Sequence, residues 1–327
     1  MFRKIFCNGI LFIIFNFVFC NILLAAEIEF KPSFDCNKAI TDIEKTICSN
    51  STISILDNSL NFFYHSAVKV KPSLKEEQRI WLENRLNNIK ELKNSYHNRI
   101  IEILLDKSVI DNVLKDFFKA NIKQKLANNK ITRLSVSLQN SVDLKYIMNA
   151  ITNLYLPDII TDPKDFSDTI FSSKGNMEIE HIKQYDDLIF NASPNKYLIT
   201  HCLNFGLNDD SSRHTIWLID FKHENVLIRS LDLPEYDIHK NTIFSSIDSP
   251  GPIGFDNKKQ AFSQLTHVHP QYSVSRYFNF IEEMNGKSKL ILLEQRGHPA
   301  RHDHNYDPEK YYPDWIKEYP MENKIIN

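Results

Sequence analysis

Glycine is scarce, with 7 in 327 residues. No Gly-rich loop is therefore available to cradle a phosphate, which excludes nucleotide binding of that kind. Charge of one sign is also lacking. The formal net charge of -2 leaves no basic excess to track a phosphate backbone, so nucleic acid is excluded as a partner. Gly-x-Ser-x-Gly, His-Glu-x-x-His and Cys-x-x-Cys are absent, and with them three common signatures of hydrolytic, zinc-dependent and redox catalysis. What remains is ordinary for a folded chain, 42% hydrophobic and 24% charged residues, long enough for roughly two domains.

The N-terminus differs from the rest. MFRKIFCNGILFIIFNFVFCNILLAAEIEF opens with Arg3 and Lys4, continues apolar, and reaches Leu24-Ala25-Ala26 before Glu27. A positive start, an apolar middle and small exit residues predict a signal peptide over 1–26, cleaved after Ala26. The rival reading is an uncleaved anchor, since the apolar run approaches the ~20 residues of a membrane span. Asn8, Gly9, Asn16 and Asn21 interrupt that run and favour cleavage. The mature chain would then have no transmembrane segment and be periplasmic or secreted.

Export sets how the cysteines read. Cys7 and Cys20 leave with the signal, so Cys36, Cys48 and Cys202 remain. In an oxidising compartment a close pair with a distant single predicts one disulfide, Cys36–Cys48, and one buried thiol. Zinc does not fit that pair, which lacks a neighbouring His and is two ligands short of a closed tetrahedral site.

Helix punctuation surrounds the pair. Thr41 and Glu44 form a capping box, predicting a short helix from Asp42 to Cys48. Ile53, Leu56, Leu60, Phe63, Tyr64 and Ala67 recur at helical spacing, and Pro72 ends that helix. Ser73 and Glu76 read as a second box. It would open one long helix carrying Leu74, Trp81, Leu82, Leu86, Ile89, Leu92, Tyr96, Ile100, Ile103 and Leu104 on one face, about 45 Å in length. The two helices form an antiparallel hairpin. Ser108 to Asp111 then predicts a cap for a third helix reaching about Leu126.

The stretch PSFDCNKAITDIEKTICSN, followed by ISILDNSLNFFYHSA, EEQRIWLENR and YHNRI, resembles the N-terminal domain of the LprI lysozyme-inhibitor family over about residues 32–105. Glu44, Asp57, Tyr64, Gln78, Trp81, Arg85, Tyr96 and Arg99 carry the resemblance, with the two cysteines. It implies an exported helical module over 27–107 whose family inhibits lysozyme. Members often carry a second cysteine pair after the Trp-Leu block. Asn88 and Glu91 stand about where it would fall, and its joint absence fits a mutually bonded pair, leaving Cys36–Cys48. Charge adds nothing to inhibition: residues 27–107 hold twelve Asp and Glu against twelve Lys and Arg, so no acidic face would steer the module onto a basic lysozyme. Inhibition and an adaptor or stability role stand side by side.

A connecting segment, 108–164, is ambiguous between strand and helix over 131–156, and Pro157 with Thr161 to Asp165 reads as a boundary loop. From 165 to 327 short apolar runs alternate with turn residues: Asp187–Ala192, Lys196–Leu203, Thr215–Phe221, Asn225–Leu231 and Ala261–Val268. Asn285-Gly286 between two such runs is a strong hairpin mark. The fold class is α+β: a disulfide-stapled all-α helical hairpin module followed by an antiparallel β-rich domain.

Candidate chemistry in the second half is thin. His267 and His269 would share a strand face, and His302 and His304 with Asp303 would add ligands for zinc or copper. The plain alternative is a solvated loop after the last strand. Asn208 to Ser212 lacks the Gly and terminal Glu of a calcium loop. Tyr306, Tyr311, Tyr312, Trp315 and Tyr319 read as a cover over a sheet edge or as a ligand-stacking tail. Cys202 lies in an apolar strand and reads as inert. His201 beside it would face the other way, so the two form no dyad. The reading that follows is a non-catalytic envelope protein, without cofactor, that binds a protein or envelope ligand, lysozyme being the family's candidate. The alternative is an envelope hydrolase or metal-dependent enzyme with its site in the β-rich domain.

Overall fold

The computed structural model describes residues 30–121, 130–156, 187–203, 213–222, 225–237, 242–246, 249–269 and 272–299. It is an α+β chain, helical in its first part and built of antiparallel sheet in its second. The expected signal peptide, the boundary loop at 157–165, the Asn208–Ser212 turn and the aromatic tail lie outside the described residues. No described helix is long and apolar enough to cross a membrane.

The lead-in makes a 3-10 turn, Cys36–Lys38, and enters α1, Asp42–Ser49. Thr41 Oγ1 accepts from Glu44 N–H at 3.2 Å, and Glu44 accepts from the N–H groups of Thr41 and Ile40 at 2.8 Å each. The capping box is therefore formed as the sequence indicates. Cys36 and Cys48 are bonded, with their Cα atoms 5.8 Å apart, so the lead-in is tied to the last turn of α1. Closing so short a loop stabilises by about 2–3 kcal/mol on the chain-entropy model.

Helix α2, Ser51–Ala67, starts at Asn50, whose side chain accepts from Ile53 N–H. It buries Ile53, Leu56, Leu60, Phe63 and Ala67 as its periodicity predicts. The long second helix is not formed. The chain makes α3, Leu74–Glu83, then a link, then α4, Ile89–Leu104. Ser73 already has helical backbone angles and makes no side-chain cap, so the second capping box is absent. The break has a local cause. Asn84 Nδ2 turns back onto the carbonyl of Ile80 at 2.8 Å, and Asn88, in extended conformation, caps α4 by accepting from Lys90 and Glu91 N–H. Asn side chains compete with the helix for backbone groups, and Asn84 and Asn88 do so here. Leu82, Leu86 and Ile89, expected on the buried stripe, are exposed instead, whereas Leu92, Tyr96, Ile100, Ile103 and Leu104 are buried.

Helix α5 spans Lys107–Asn121. Asp106, not Ser108, caps it: Asp106 Oδ1 accepts from the N–H and hydroxyl of Ser108 at 2.9 and 2.6 Å. The ambiguous segment resolves into β1, Thr132–Leu134, and α6, Leu138–Tyr155. Every α6 residue from Ser141 to Thr152 is buried. A helix enclosed on all sides has no exposed face to give it a polar stripe, which is why its period was hidden.

Strands β2, Leu188–Ser193, β3, Lys196–Leu203, β4, Arg213–Lys222, and β5, Asn225–Leu231, follow. They form one antiparallel sheet in the order β1-β2-β3-β4-β5, with the short β8, Ser249–Pro250, also on β4. Strands β9, Ile253–Asp256, β10, Ala261–His269, β11, Tyr272–Glu282, and β12, Ser288–Pro299, form a second sheet. Strands β6, Leu233–Asp237, and β7, Thr242–Ser246, pair as a separate ribbon. The β11–β12 turn is closed at Asn285-Gly286, where Gly286 takes φ +78.

Strand alternation sends the two faces of the first sheet to two cores. Ile199, Trp217 and Ile219 pack with the helices, and Phe118 of α5 lies against Tyr197 and Phe221. Leu198, Ile216 and Leu218 pack with Phe262, Phe278, Leu290 and Leu292 of the second sheet. The result is three layers, helices on sheet on sheet, with the helical part and the first sheet sharing one core.

Candidate functional site

The eight motif residues fall into distinct local roles. Asp57 on α2 is the hub of one network. Its Oδ2 accepts from the backbone N–H and hydroxyl of Ser33 at 2.8 and 2.6 Å, and its Oδ1 accepts from the Tyr96 hydroxyl at 2.7 Å. Tyr96 Oη in turn accepts from Arg85 Nη1 at 2.9 Å, and the Arg85 guanidinium lies 5.3 Å from the Trp81 ring centre. Trp81 meets Tyr96 edge-on at 5.0 Å and donates from Nε1 to Ser95 Oγ at 3.0 Å. Burial, then the Asp57 charge, raise the Tyr96 hydroxyl far above its ordinary value, so it stays a donor.

Gln78 and Arg99 form a second pair. The guanidinium, 4% exposed, donates to Gln78 Oε1 at 3.1 Å and to Glu102 at 2.7 Å. It fastens α3 to α4. Glu44 is the α1 cap, and its carboxyl is held below the usual range by the backbone N–H groups of Thr41 and Ile40. Tyr64 packs at the edge of the helical core.

The first network reaches the α3–α4 link, residues 84–88, at Arg85. Thr46 Oγ1 of α1 reaches it from the other side, donating to Asn87 Oδ1 at 2.9 Å. At and beside this link four apolar residues are exposed, Ile80 at 47%, Leu82 at 43%, Leu86 at 60% and Ile89 at 55%, among exposed Glu83, Asn84, Asn87 and Asn88. Single exposed apolar residues need no explanation, but four within the ten residues from Ile80 to Ile89 single out this bend for a test of interaction.

A second polar cluster lies between α6 and the first sheet, and sequence reasoning missed it. His201 Nδ1 is 2.9 Å from both carboxylate oxygens of Asp187, and Asp187 Oδ1 accepts from Cys202 N–H at 3.2 Å. Asp187 and His201 are buried. Burial pushes the Asp187 carboxyl upward, yet its pairing with His201, the Lys145 charge and the Cys202 N–H outweigh it and hold the group below its usual value. The pairing is a consequence of register. Leu188 faces Thr200 in the β2–β3 hairpin, so the antiparallel partner of residue 187 is 201. No spacing motif announces it.

Strand alternation puts His201 on the helix side of the sheet and its neighbours Cys202 and His214, paired across β3 and β4, on the other. Cys202 is a free buried cysteine, and burial pushes its thiol up to about 12. The Nε2 atoms of His201 and His214 are buried without a hydrogen-bond partner. Because the sheet lies between the two rings, they do not converge on one ion. Among the described residues no group of three or more His, Cys, Asp or Glu is placed to hold a metal.

The histidines named for a metal are placed only in part. Backbone register shifts between His267 and His269, which pair with Ser273 and Tyr272. That irregularity removes the strict alternation on which a shared face depended. Their side chains, and His302 and His304 altogether, lie outside the described residues.

Comparison with protein-family models, with curated proteins and with solved structures finds no match.

Proposed function

We propose that the chain is an exported cell-envelope protein that works by binding a protein partner, not by catalysis, with the α3–α4 link of an LprI-like helical module as its contact surface. The observation that carries this reading is the gathering of four exposed apolar residues, Ile80, Leu82, Leu86 and Ile89, at and beside a link whose Arg85, Asn87 and Asn88 are hydrogen-bonded. An ordered surface loses little conformational entropy on docking, and its apolar groups supply the affinity. The order and spacing of the motif residues make lysozyme the partner to test. The Asp57–Tyr96–Arg85 network supports this role from beneath, by fixing the link.

The mature chain, residues 27–327, should slow lysis of a cell-wall suspension by lysozyme at a stoichiometric dose. Leu86→Asp and Ile89→Asp, which alter only exposed side chains, should abolish the effect while leaving the circular dichroism spectrum unchanged. Undiminished lysis in the presence of excess protein discards lysozyme as the partner.

A further inference from the structure

We propose that the Cys36–Cys48 disulfide is the latch of the α3–α4 link, so that reduction loosens that contact surface while the rest of the fold stays closed. The inference rests on the link being the binding surface, and it concerns how that surface is regulated.

The geometry is one of two arms with a common origin. The first starts in the lead-in: Ser33 donates twice to Asp57, Asp57 accepts from Tyr96, and Tyr96 accepts from Arg85 at the link. The second starts in α1: Thr46 donates to Asn87 in the middle of the link. The disulfide ties the two origins to each other, Cys36 lying three residues after Ser33 and Cys48 two residues after Thr46. Beside Cys48 the buried Ile47, and the Ser54 hydroxyl on its carbonyl, hold α1 on α2. Elsewhere the lead-in is held by apolar packing, with Pro32 buried and Phe30 and Phe34 against the helical core. Lys31, Ser33, Asp35, Cys36, Asn37 and Lys38 are exposed, and the turn Cys36–Lys38 buries no residue. Cys36 itself is exposed.

The chemistry is ordinary exchange. A dithiol reductant attacks Cys36 Sγ as thiolate, Cys48 leaves as thiolate, and the mixed disulfide is resolved by the reductant's second thiol. Two electrons and two protons pass to the chain, giving two cysteine thiols, and the reductant closes to its own disulfide. The lead-in then regains the chain freedom the bond had removed. Ser33 leaves Asp57 more often, and α1 holds Thr46 less firmly against Asn87. The link is bound to the remaining core mainly through Trp81 and Tyr96, which is enough to keep the helices packed but not to fix residues 84–88.

Amide hydrogen exchange on the full mature chain, oxidised and after treatment with a dithiol, tests this without any partner. Amides in 84–90 should exchange about tenfold faster on reduction, the scale of one net hydrogen bond. Those of α6 and of the β11–β12 hairpin should be unchanged. Ser33→Ala and Thr46→Val, each with the disulfide intact, should each reproduce part of the acceleration. Faster exchange confined to 31–50 would show that the bond staples only its own loop. Acceleration spreading to α6 and the hairpin would show a global staple. Either result overturns the latch. Because lysozyme does not enter the measurement, failure here is distinct from failure of the inhibitor reading.

Discussion

Tyr96 donates a 2.7 Å hydrogen bond to Asp57 across a sequence separation of 39 residues, and the same phenol oxygen receives Arg85. One buried aromatic thus joins the lead-in, α2 and the α3–α4 link. Tyr96→Phe keeps the ring but removes both bonds, and equilibrium unfolding should show a loss of about 1–3 kcal/mol. Arg85 should then become mobile, seen as weaker quenching of Trp81 fluorescence. A variant as stable as the parent would mean that the network contributes no net energy.

Asp187 is the more demanding site. Asp187→Ala leaves the His201 imidazole and the Cys202 N–H buried without their carboxylate, beside the charge of Lys145. Removing one partner of a buried charged cluster costs about 3–5 kcal/mol. Denaturant melts should show that loss without a change in the helical spectrum at low temperature. A loss under 1 kcal/mol would point to a solvated cluster.

Acid should destabilise the fold in a defined window. His97, against the Tyr146 hydroxyl, and His214 are both pushed down to about 4 from 6.5 by burial. Depressed histidines contribute stability that is present above pH 6.5 and is lost as pH falls through about 4. Unfolding free energy should therefore decline from pH 7 towards pH 4 by a few kcal/mol. His214→Asn should flatten that decline. A pH-independent midpoint over the same range contradicts the burial of neutral imidazoles.

Asp143 acts in the opposite sense. It accepts from Ser59 Oγ at 2.5 Å and from Gln139 at 3.1 Å, and burial raises its carboxyl from 3.8 to about 6. Its contribution is present below pH 3.8 and is lost as pH rises through about 6. Asp143→Asn keeps an acceptor for both donors and removes the charge that is buried above about pH 6. It should raise stability at pH 7–8 by about 1–3 kcal/mol and give no gain near pH 4. Equal gain at both pH values would show that charge burial is not the cause.

How much of this was legible follows from where each signal sits. Local chemistry read well: the Thr41–Glu44 box, the Cys36–Cys48 bond, the Asn285-Gly286 turn and the strands Lys196–Leu203 and Asn225–Leu231 all stand as their residues indicate. Competition between local rules read poorly. Leu82, Leu86 and Ile89 keep helical spacing, but Asn84 and Asn88 take the backbone bonds the helix needed. Helix α6 carried no period because tertiary packing buries its whole circumference. Asp57, Tyr96 and Arg85 were each visible as motif residues, but their mutual contact was not, since it depends on how α2 packs on α4. Asp187 and His201 were invisible for the same reason, their meeting being fixed by strand register alone.

The central claim is that the exposed apolar residues at and beside the α3–α4 link dock a protein partner. Calorimetric titration of the mature chain with lysozyme at low and at high salt addresses it most directly. The account predicts stoichiometric binding that changes little with salt, because apolar contact is not screened, and that vanishes in Leu86→Asp. Binding that collapses with added salt and survives Leu86→Asp, or no binding at either salt, would contradict it.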